Sequence, residues 1–400
     1  MISFDEAYKL TLDHIRLLPA ETAPLLAAVG RVAGQDLLAQ VDSPSLDVSL
    51  KDGYAIQSAD IGRASPDAPV DLTLIGSIAA GEDWQGQVCS GQAVRILSGA
   101  PIPQGADAVV AEEFTQAKPG NARVMNHAEP GRNILRRGAD VQAGQPVVRA
   151  GEKLYPTIIG LLAAAGYQEV QVIRRPRVAI VATGSEVLAP GQPLTPGKLY
   201  ASNLFTLAGW CRRYGLEVET HVLPDDVDAI RPALTACMEQ FDAVLTSGGA
   251  WQGEHDLVVK ILDAIGWQKI YHRVRMGPGK AVGFGLYQNK PVFCLPGGPP
   301  SNHSAFIQLA LPGLQRLAGE PKPGLPLLPA VMAERVAGQV DWTQFIHGRL
   351  GRQGQQVVFF PFHDHSRLQE MAHTQAIAKI PEGQVELPAN DTIMVQVLVD

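Results

Sequence analysis

From Arg177 to Leu317 short apolar runs alternate with longer helix-periodic ones, and no other feature of the chain constrains its fold as strongly. Runs at 177–183, 216–222, 242–246, 281–286 and 291–295 read as buried strands, and 203–214, 226–239, 255–265 and 301–317 as helices. Parallel strands need a helical crossover, and both faces of such a sheet must be covered. The alternation therefore predicts a doubly wound, mainly parallel α/β domain with helices on both faces. In that architecture a ligand sits beyond the carboxyl ends of the strands. Three of those ends carry glycine-rich polar loops: "VATGSE" (181–186), "LTSGGAWQGEHD" (245–256) and "CLPGGPPSN" (294–302). They are expected to converge on one crevice.

The rest of the chain has other periodicities. Residues 1–16 are helix-periodic, 37–172 read as short β segments separated by Pro and Gly, and "TIIGLLAAAG" (157–166) is a helix stopped by its glycine. After the Pro-rich linker "GEPKPGLPLLP" (319–329), β alternation returns in "QQVVFFPF" and "DTIMVQVLV". A chain of 400 residues exceeds the roughly 250–300 at which single cores stop growing. The expected fold is multidomain α/β plus β. It has two N-terminal mostly β domains (1–42 joined with 138–172, and 43–137), the α/β domain (173–319) and a small C-terminal β domain (320–400).

A formal charge of −7 and the lack of a basic run argue against nucleic acid as a partner. Cys89, Cys211, Cys237 and Cys294 form no CxxC pair, so neither a zinc cluster nor a disulfide framework is indicated and a reducing cytoplasm fits. Acidic residues interrupt the N-terminal apolar stretch, and no segment has the length and apolarity of a membrane span. A cytoplasmic protein without membrane association is expected.

Taken singly, the motifs are modest. In "TSGGAWQGEHD" the glycines after Ser247 let backbone amides approach an anion, and Asp256 either caps the next helix or holds a cation. "RMGPGK" (275–280) fails the phosphate-loop template at Val274 and Ala281. "FHDHS" (362–366) would set His363 and His365 on one face of a strand, as two metal ligands require, but no third ligand is in view. "SLKDGYA" (49–55) is turn chemistry around Asp52.

In order, "SLKDGYA", "RILSGAPIPQGADAVVAEE", "GRNILRRGAD", "VATGSEVLAPGQPL", "LTSGGAWQGEHD", "GPGK", "VFCLPGGPPSN" and "DWTQFIHGRL" resemble the molybdopterin molybdotransferase family of bacterial MoeA and the gephyrin E domain. The resemblance spans the chain. It implies an elongated homodimer of four-domain subunits, with the site between the α/β domain of one subunit and the small β domain of the other. It also implies a reaction: with Mg²⁺, adenylyl-molybdopterin is cleaved and molybdate, or tungstate, is placed on the dithiolene. Other proteins of molybdenum cofactor biosynthesis are implied partners.

By motif position the resemblance makes Asp52, Glu186, Asp256 and Lys280 catalytic. Ser98, Asp140, Asp225, Ser247, Gly248, Gly249, Pro296 and Pro299 become substrate contacts, and Glu186, Asp225 and Asp256 metal ligands. Several positions depart from the family: Lys51 replaces a usual Met, Ala201 and Ser185 replace Asp, Ala139 replaces Glu, Gly277 replaces Lys, Gly298 replaces Asn, and "AWQGEH" is divergent. Lys51 is a candidate for supplying the cation lost at Gly277; the alternative is that Lys51 is a solvated turn residue and Arg273 or Arg275 fills that role. The alternative to an enzyme is a non-catalytic paralogue that binds pterin or a partner protein.

Overall fold

The computed structural model describes residues 1–248, 257–363 and 367–399. The chain forms two compact units, one of residues 1–21, 30–32 and 172–400, the other of 22–29 and 33–171.

The first unit contains the α/β sheet. Its strands are β1 (Arg177–Thr183), β2 (Glu217–Leu223), β3 (Ala243–Ser247), β4 (Gln268–His272), β5 (Gly283–Tyr287) and β6 (Lys290–Leu295), in the order β2-β1-β3-β6-β5-β4. β1, β2, β3 and β6 are parallel, and β5 and β4 extend the sheet antiparallel. Alternate side chains of β1 enter different cores. Val178, Ile180 and Ala182 pack with Leu204, Leu207 and Cys211 of helix α1 (Ser202–Arg213). Ala179 and Val181 pack with Ile230 and Leu234 of α2 (Val227–Gln240) and with Val258 and Leu262 of α3 (Leu257–Ala264). The sheet is thus covered on both faces, which is why its parallel strands are continuously apolar rather than alternating.

The last helical stretch, Pro299–Leu317, is interrupted by a π turn at Phe306–Ala310, where the Leu311 N–H reaches back to the Phe306 carbonyl. Pro312 has no N–H for the carbonyl of Gln308, so a regular ladder cannot continue there.

In the same unit, Thr343–Gln353 pairs with both Gln356–Pro361 and Ala376–Ile380, and the sheet continues through Leu327–Met332 and Thr392–Val397 to close a ring. Two expectations fail in this unit. Residues 1–21 do not group with 138–172: Ile2–Ser3 pairs parallel with Val274–Arg275, and Phe4, Ala7 and Ile15 are buried in the core on the α1 face of the α/β sheet. The "FHDHS" strand also fails, because the strand ends at Pro361; His363 lies beyond it, bonded to Glu334, and His365 lies outside the described residues.

The second unit is built on a six-stranded sheet ordered Ala108–Ala111, Gly53–Ile56, Gln92–Ile96, Val70–Ile78, Asn121–Val124, Thr115–Lys118. Gly53 explains part of the "KDGYA" motif: a Cβ there would lie 2.0 Å from the Val110 carbonyl oxygen. Gly53→Ala is expected to destabilise this unit by about 3 kcal/mol, the upper range for overpacking a core. Urea unfolding followed by intrinsic fluorescence should show an early transition absent from the parent; a superimposable curve would refute the steric account.

Candidate functional site

The carboxyl ends of β1, β2, β3 and β6 open on a cavity of about 880 Å³ in the first unit. Each of the three predicted loops contributes: Thr183, Gly184 and Glu186 after β1, Ser247 and Gly248 ending β3, Pro296 to Pro299 after β6; the loop after β2 adds Asp225, which only the family resemblance had indicated. The start of α1, Ala201 to Leu204, forms a further part of the wall. Expected contacts Glu186, Asp225, Ser247, Gly248, Pro296 and Pro299 are therefore brought together, and departures Ala201 and Gly298 line the same space.

Local geometry fixes these groups. Gly248 has φ +105, and a Cβ there would stand 2.6 Å from the Thr183 carbonyl oxygen, so β3 can turn beside β1 only as glycine. Ser185 and Asp225 are tied reciprocally: the Ser185 N–H donates to Asp225 Oδ2 at 3.1 Å and the Asp225 N–H to Ser185 Oγ at 3.3 Å. Glu186 folds its carboxylate over Gly184, where a Cβ would come within 2.8 Å of Oε2.

Sequence reasoning missed two residues of this site. Asn302, buried, donates from Nδ2 to Ser247 Oγ at 3.0 Å and to the Pro296 carbonyl at 2.9 Å. Asn203 donates to the Gly297 carbonyl at 2.8 Å and to Ser247 Oγ at 3.4 Å. Together they join the end of β3 to the loop after β6. Asn302 stood in the "PPSN" segment, but only its tertiary neighbours give it a role.

Other predicted residues fall elsewhere. Gly249 and Asp256 lie outside the described residues, as do Glu254 and His255. Lys280 is exposed, its carbonyl accepting the Val274 N–H at 3.0 Å, one residue before cavity-lining Ala281. Asp52 and Ser98 meet in the second unit, where Asp52 Oδ1 accepts the Ser98 N–H at 2.7 Å. Lys51 is exposed, its backbone bonded to Ser49 Oγ, and Asp140 is exposed with its N–H on the Ser43 carbonyl at 2.9 Å. Around Gly277 the space for a Cβ is open, and nearby Arg275 is engaged by Glu382 at 2.9 Å.

Glu186 and Asp225 give the cavity two hard oxygen donors, the ligand type a Mg²⁺ ion prefers. Among the described residues no three His, Cys, Asp or Glu side chains form a metal cluster. The third expected ligand, Asp256, is outside them.

The first unit also contains a buried imidazole pair, His303 and His347, with ring centroids 5.9 Å apart. Trp210 Nε1–H donates to His303 Nε2 at 3.1 Å, and His347 Nδ1 bonds Thr374 Oγ1 at 3.1 Å. Burial pushes the pKa of His303 down to about 3, helped by the neighbouring ring, and that of His347 down to about 4.

Comparison with known proteins bears on the whole chain. Residues 2–166 match the MoeA N-terminal region (domain I and II), and residues 179–316 match a probable molybdopterin binding domain. "Molybdopterin molybdenumtransferase 2" of Mycobacterium tuberculosis is 33% identical over 401 residues, 99% of each chain. The molybdopterin molybdenumtransferase of Staphylococcus aureus is 30% identical over 395 residues, 98% of this chain and 94% of the relative. Among solved structures, the molybdopterin biosynthesis MoeA protein of Pyrococcus horikoshii superposes with a TM-score of 0.84 at 27% identity, covering 100% of both chains.

Proposed function

The chain belongs to the family of molybdopterin molybdenumtransferases, and from that premise we propose that it releases AMP from adenylyl-molybdopterin in a Mg²⁺-dependent reaction while molybdate is transferred to the dithiolene. The relatives support a late step of molybdenum cofactor biosynthesis. The observation that carries the adenylate-cleaving reading is the pair of carboxylates, Glu186 and Asp225, on the cavity that Ser247 and Gly248 also line.

In this reading Ser247 and the Gly248 amide bind the anionic end of the substrate. Glu186 and Asp225, with Asp256, hold a divalent ion, which when bound neutralises charge on the phosphates being separated. The Ser185 N–H holds Oδ2 of the Asp225 carboxylate, and Oδ1 is the oxygen assigned to the ion. Pro296 and Pro299 bound the loop that shapes the pterin side, and Lys280 contributes a cation toward phosphate or molybdate. Tungstate has the same charge and shape as molybdate and is a second oxyanion substrate.

The test is direct. Protein incubated with adenylyl-molybdopterin, Mg²⁺ and molybdate or tungstate should release AMP in proportion to adenylyl-molybdopterin consumed. AMP at the no-protein level would leave only a binding protein.

Asp52, with Ser98 bonded to it, and Lys51 and Asp140 in the second unit are proposed to serve the cavity of a second copy, which makes the cytoplasmic enzyme an obligate homodimer. Specific activity should then fall with dilution through the dimer dissociation range seen by sedimentation. Full activity from a sedimenting monomer would remove this composite arrangement.

A further inference from the structure

We propose that His303 and His347 are positioning residues for the cavity: bridged by one buried water, they clamp together two helices that form its wall. The clamp depends on the function proposed above only for the reaction in which its effect is measured.

The two rings belong to different parts of the first unit. His303 lies on the Pro299–Ala305 helix, whose first residue lines the cavity. His347 lies on the Thr343–Gln353 strand, and its partner Thr374 donates from Oγ1 to the Glu370 carbonyl at 2.7 Å. Glu370 belongs to the Arg367–His373 helix, which supplies Leu368 to the same cavity and packs against the Pro299–Ala305 helix. A tie between the imidazoles is therefore a tie between two pieces of wall.

Their outer bonds fix the chemistry of the remaining nitrogens. An indole N–H only donates, so His303 Nε2, which Trp210 reaches at 3.1 Å, is an acceptor and the ring proton sits on Nδ1. Thr374 gives its own hydroxyl proton to Glu370, so it accepts from His347 Nδ1–H at 3.1 Å and Nε2 keeps its lone pair. Burial holds both rings neutral at ordinary pH, so neither takes a second proton there. One donor remains, His303 Nδ1–H, and one acceptor, His347 Nε2. Both atoms are buried, and neither has a partner among the described residues. The ring centroids are 5.9 Å apart with planes inclined by 48°. A buried donor and acceptor without a direct bond are what an internal water joins, accepting from one and donating to the other. A metal ion does not fit this pair, because it needs a lone pair on both nitrogens and Trp210 keeps the His303 proton on Nδ1.

The test is a double-mutant cycle on the full chain, joined to crystallography of the wild type. His303→Gln can set a carbonyl oxygen where Nε2 accepts from Trp210, and His347→Asn can set an amide N–H where Nδ1 donates to Thr374. Each variant thus keeps the outer bond and loses the inner one. Each should lower kcat for AMP release about tenfold or more, the scale on which a small displacement away from the chemistry acts. KM for adenylyl-molybdopterin should move far less. The double variant should be no slower than the slower single one, because both substitutions remove the same bridge. A merely structural role would lower the thermal midpoint and leave kcat per folded site unchanged.

Wild-type crystals that resolve solvent should show one water within hydrogen-bond distance of His303 Nδ1 and His347 Nε2. Losses in kcat that add, variants that turn over like wild type, or density showing a metal ion, a direct bond between the rings or no water each overturn the clamp. A wild type that releases no AMP defeats the enzymatic reading by itself. The clamp is then decided by the water and by the thermal midpoints, where a shared bridge makes the losses non-additive and additive losses overturn it.

Discussion

Glu186→Gln is expected to lower Mg²⁺-dependent AMP release by about a hundredfold or more, the scale on which losing one pre-arranged electrostatic group acts. The substitution keeps shape and removes charge. Glu186 lines the cavity, and no hydrogen bond or ion pair to its carboxylate exists among the described residues. Stability should therefore hardly change, and the loss should fall on catalysis. Asp225→Asn is the informative companion, because its remaining carbonyl oxygen can still accept the Ser185 N–H that Asp225 Oδ2 accepts at 3.1 Å. Both variants should need more Mg²⁺ for half-maximal rate. A Glu186→Gln protein that matches wild type across a Mg²⁺ titration would end the metal assignment.

A second large effect is expected in stability against pH. In the unfolded chain both imidazoles titrate near pH ~6.5, whereas the folded values are about 3 for His303 and about 4 for His347. Above the unfolded value neither state takes up protons at these groups, and their contribution is fully present. As pH falls below it, the unfolded chain binds two protons that the folded chain refuses, so stability is lost progressively down to the folded values. Each unmatched proton costs about 1.4 kcal/mol per pH unit, which gives a loss of roughly 4 kcal/mol at pH ~5 from the pair. The urea midpoint of the first unit should fall steeply between pH ~7 and pH ~5, and the double variant His303→Gln/His347→Gln should flatten most of that dependence. An equal pH dependence in parent and double variant would contradict it.

The sequence was most legible where burial acts on both faces of an element. β1 runs from Arg177 to Thr183 as its apolar pattern indicated, and the parallel strands beside it follow within a residue or two. β4 was not legible: Gln268 and Lys269 are exposed in an edge strand that pairs on one side only, so no apolar run marks it. Val274–Gly277 lay hidden inside a segment that resembled a phosphate loop. For the site, glycine-rich strand ends marked the loops of Glu186, Ser247 and Gly248, because close backbone approach leaves a mark in composition, whereas Asp225, in the glycine-free "LPDDVD", was indicated by the family resemblance alone. Asn302 left none. Its partner Ser247 is 55 residues away in sequence, and a buried amide is chosen by that neighbour rather than by its own segment.

The pairing of Ile2 with Val274 has a consequence for how the protein is made. A ribosome releases the Phe4–His14 helix first, yet the strands and helices that bury Phe4, Ala7 and Ile15 are encoded after residue 172. Residues 33–171 meanwhile contain most of the second unit and are complete long before translation reaches Val274. Domains generally fold as they emerge, so that unit can acquire its structure during synthesis while the earliest helix waits with its apolar face uncovered. The apolar face of Phe4–His14 thus stays uncovered until the residues after 172 that bury it have been made, and slowing translation prolongs the interval in which aggregation competes with burial.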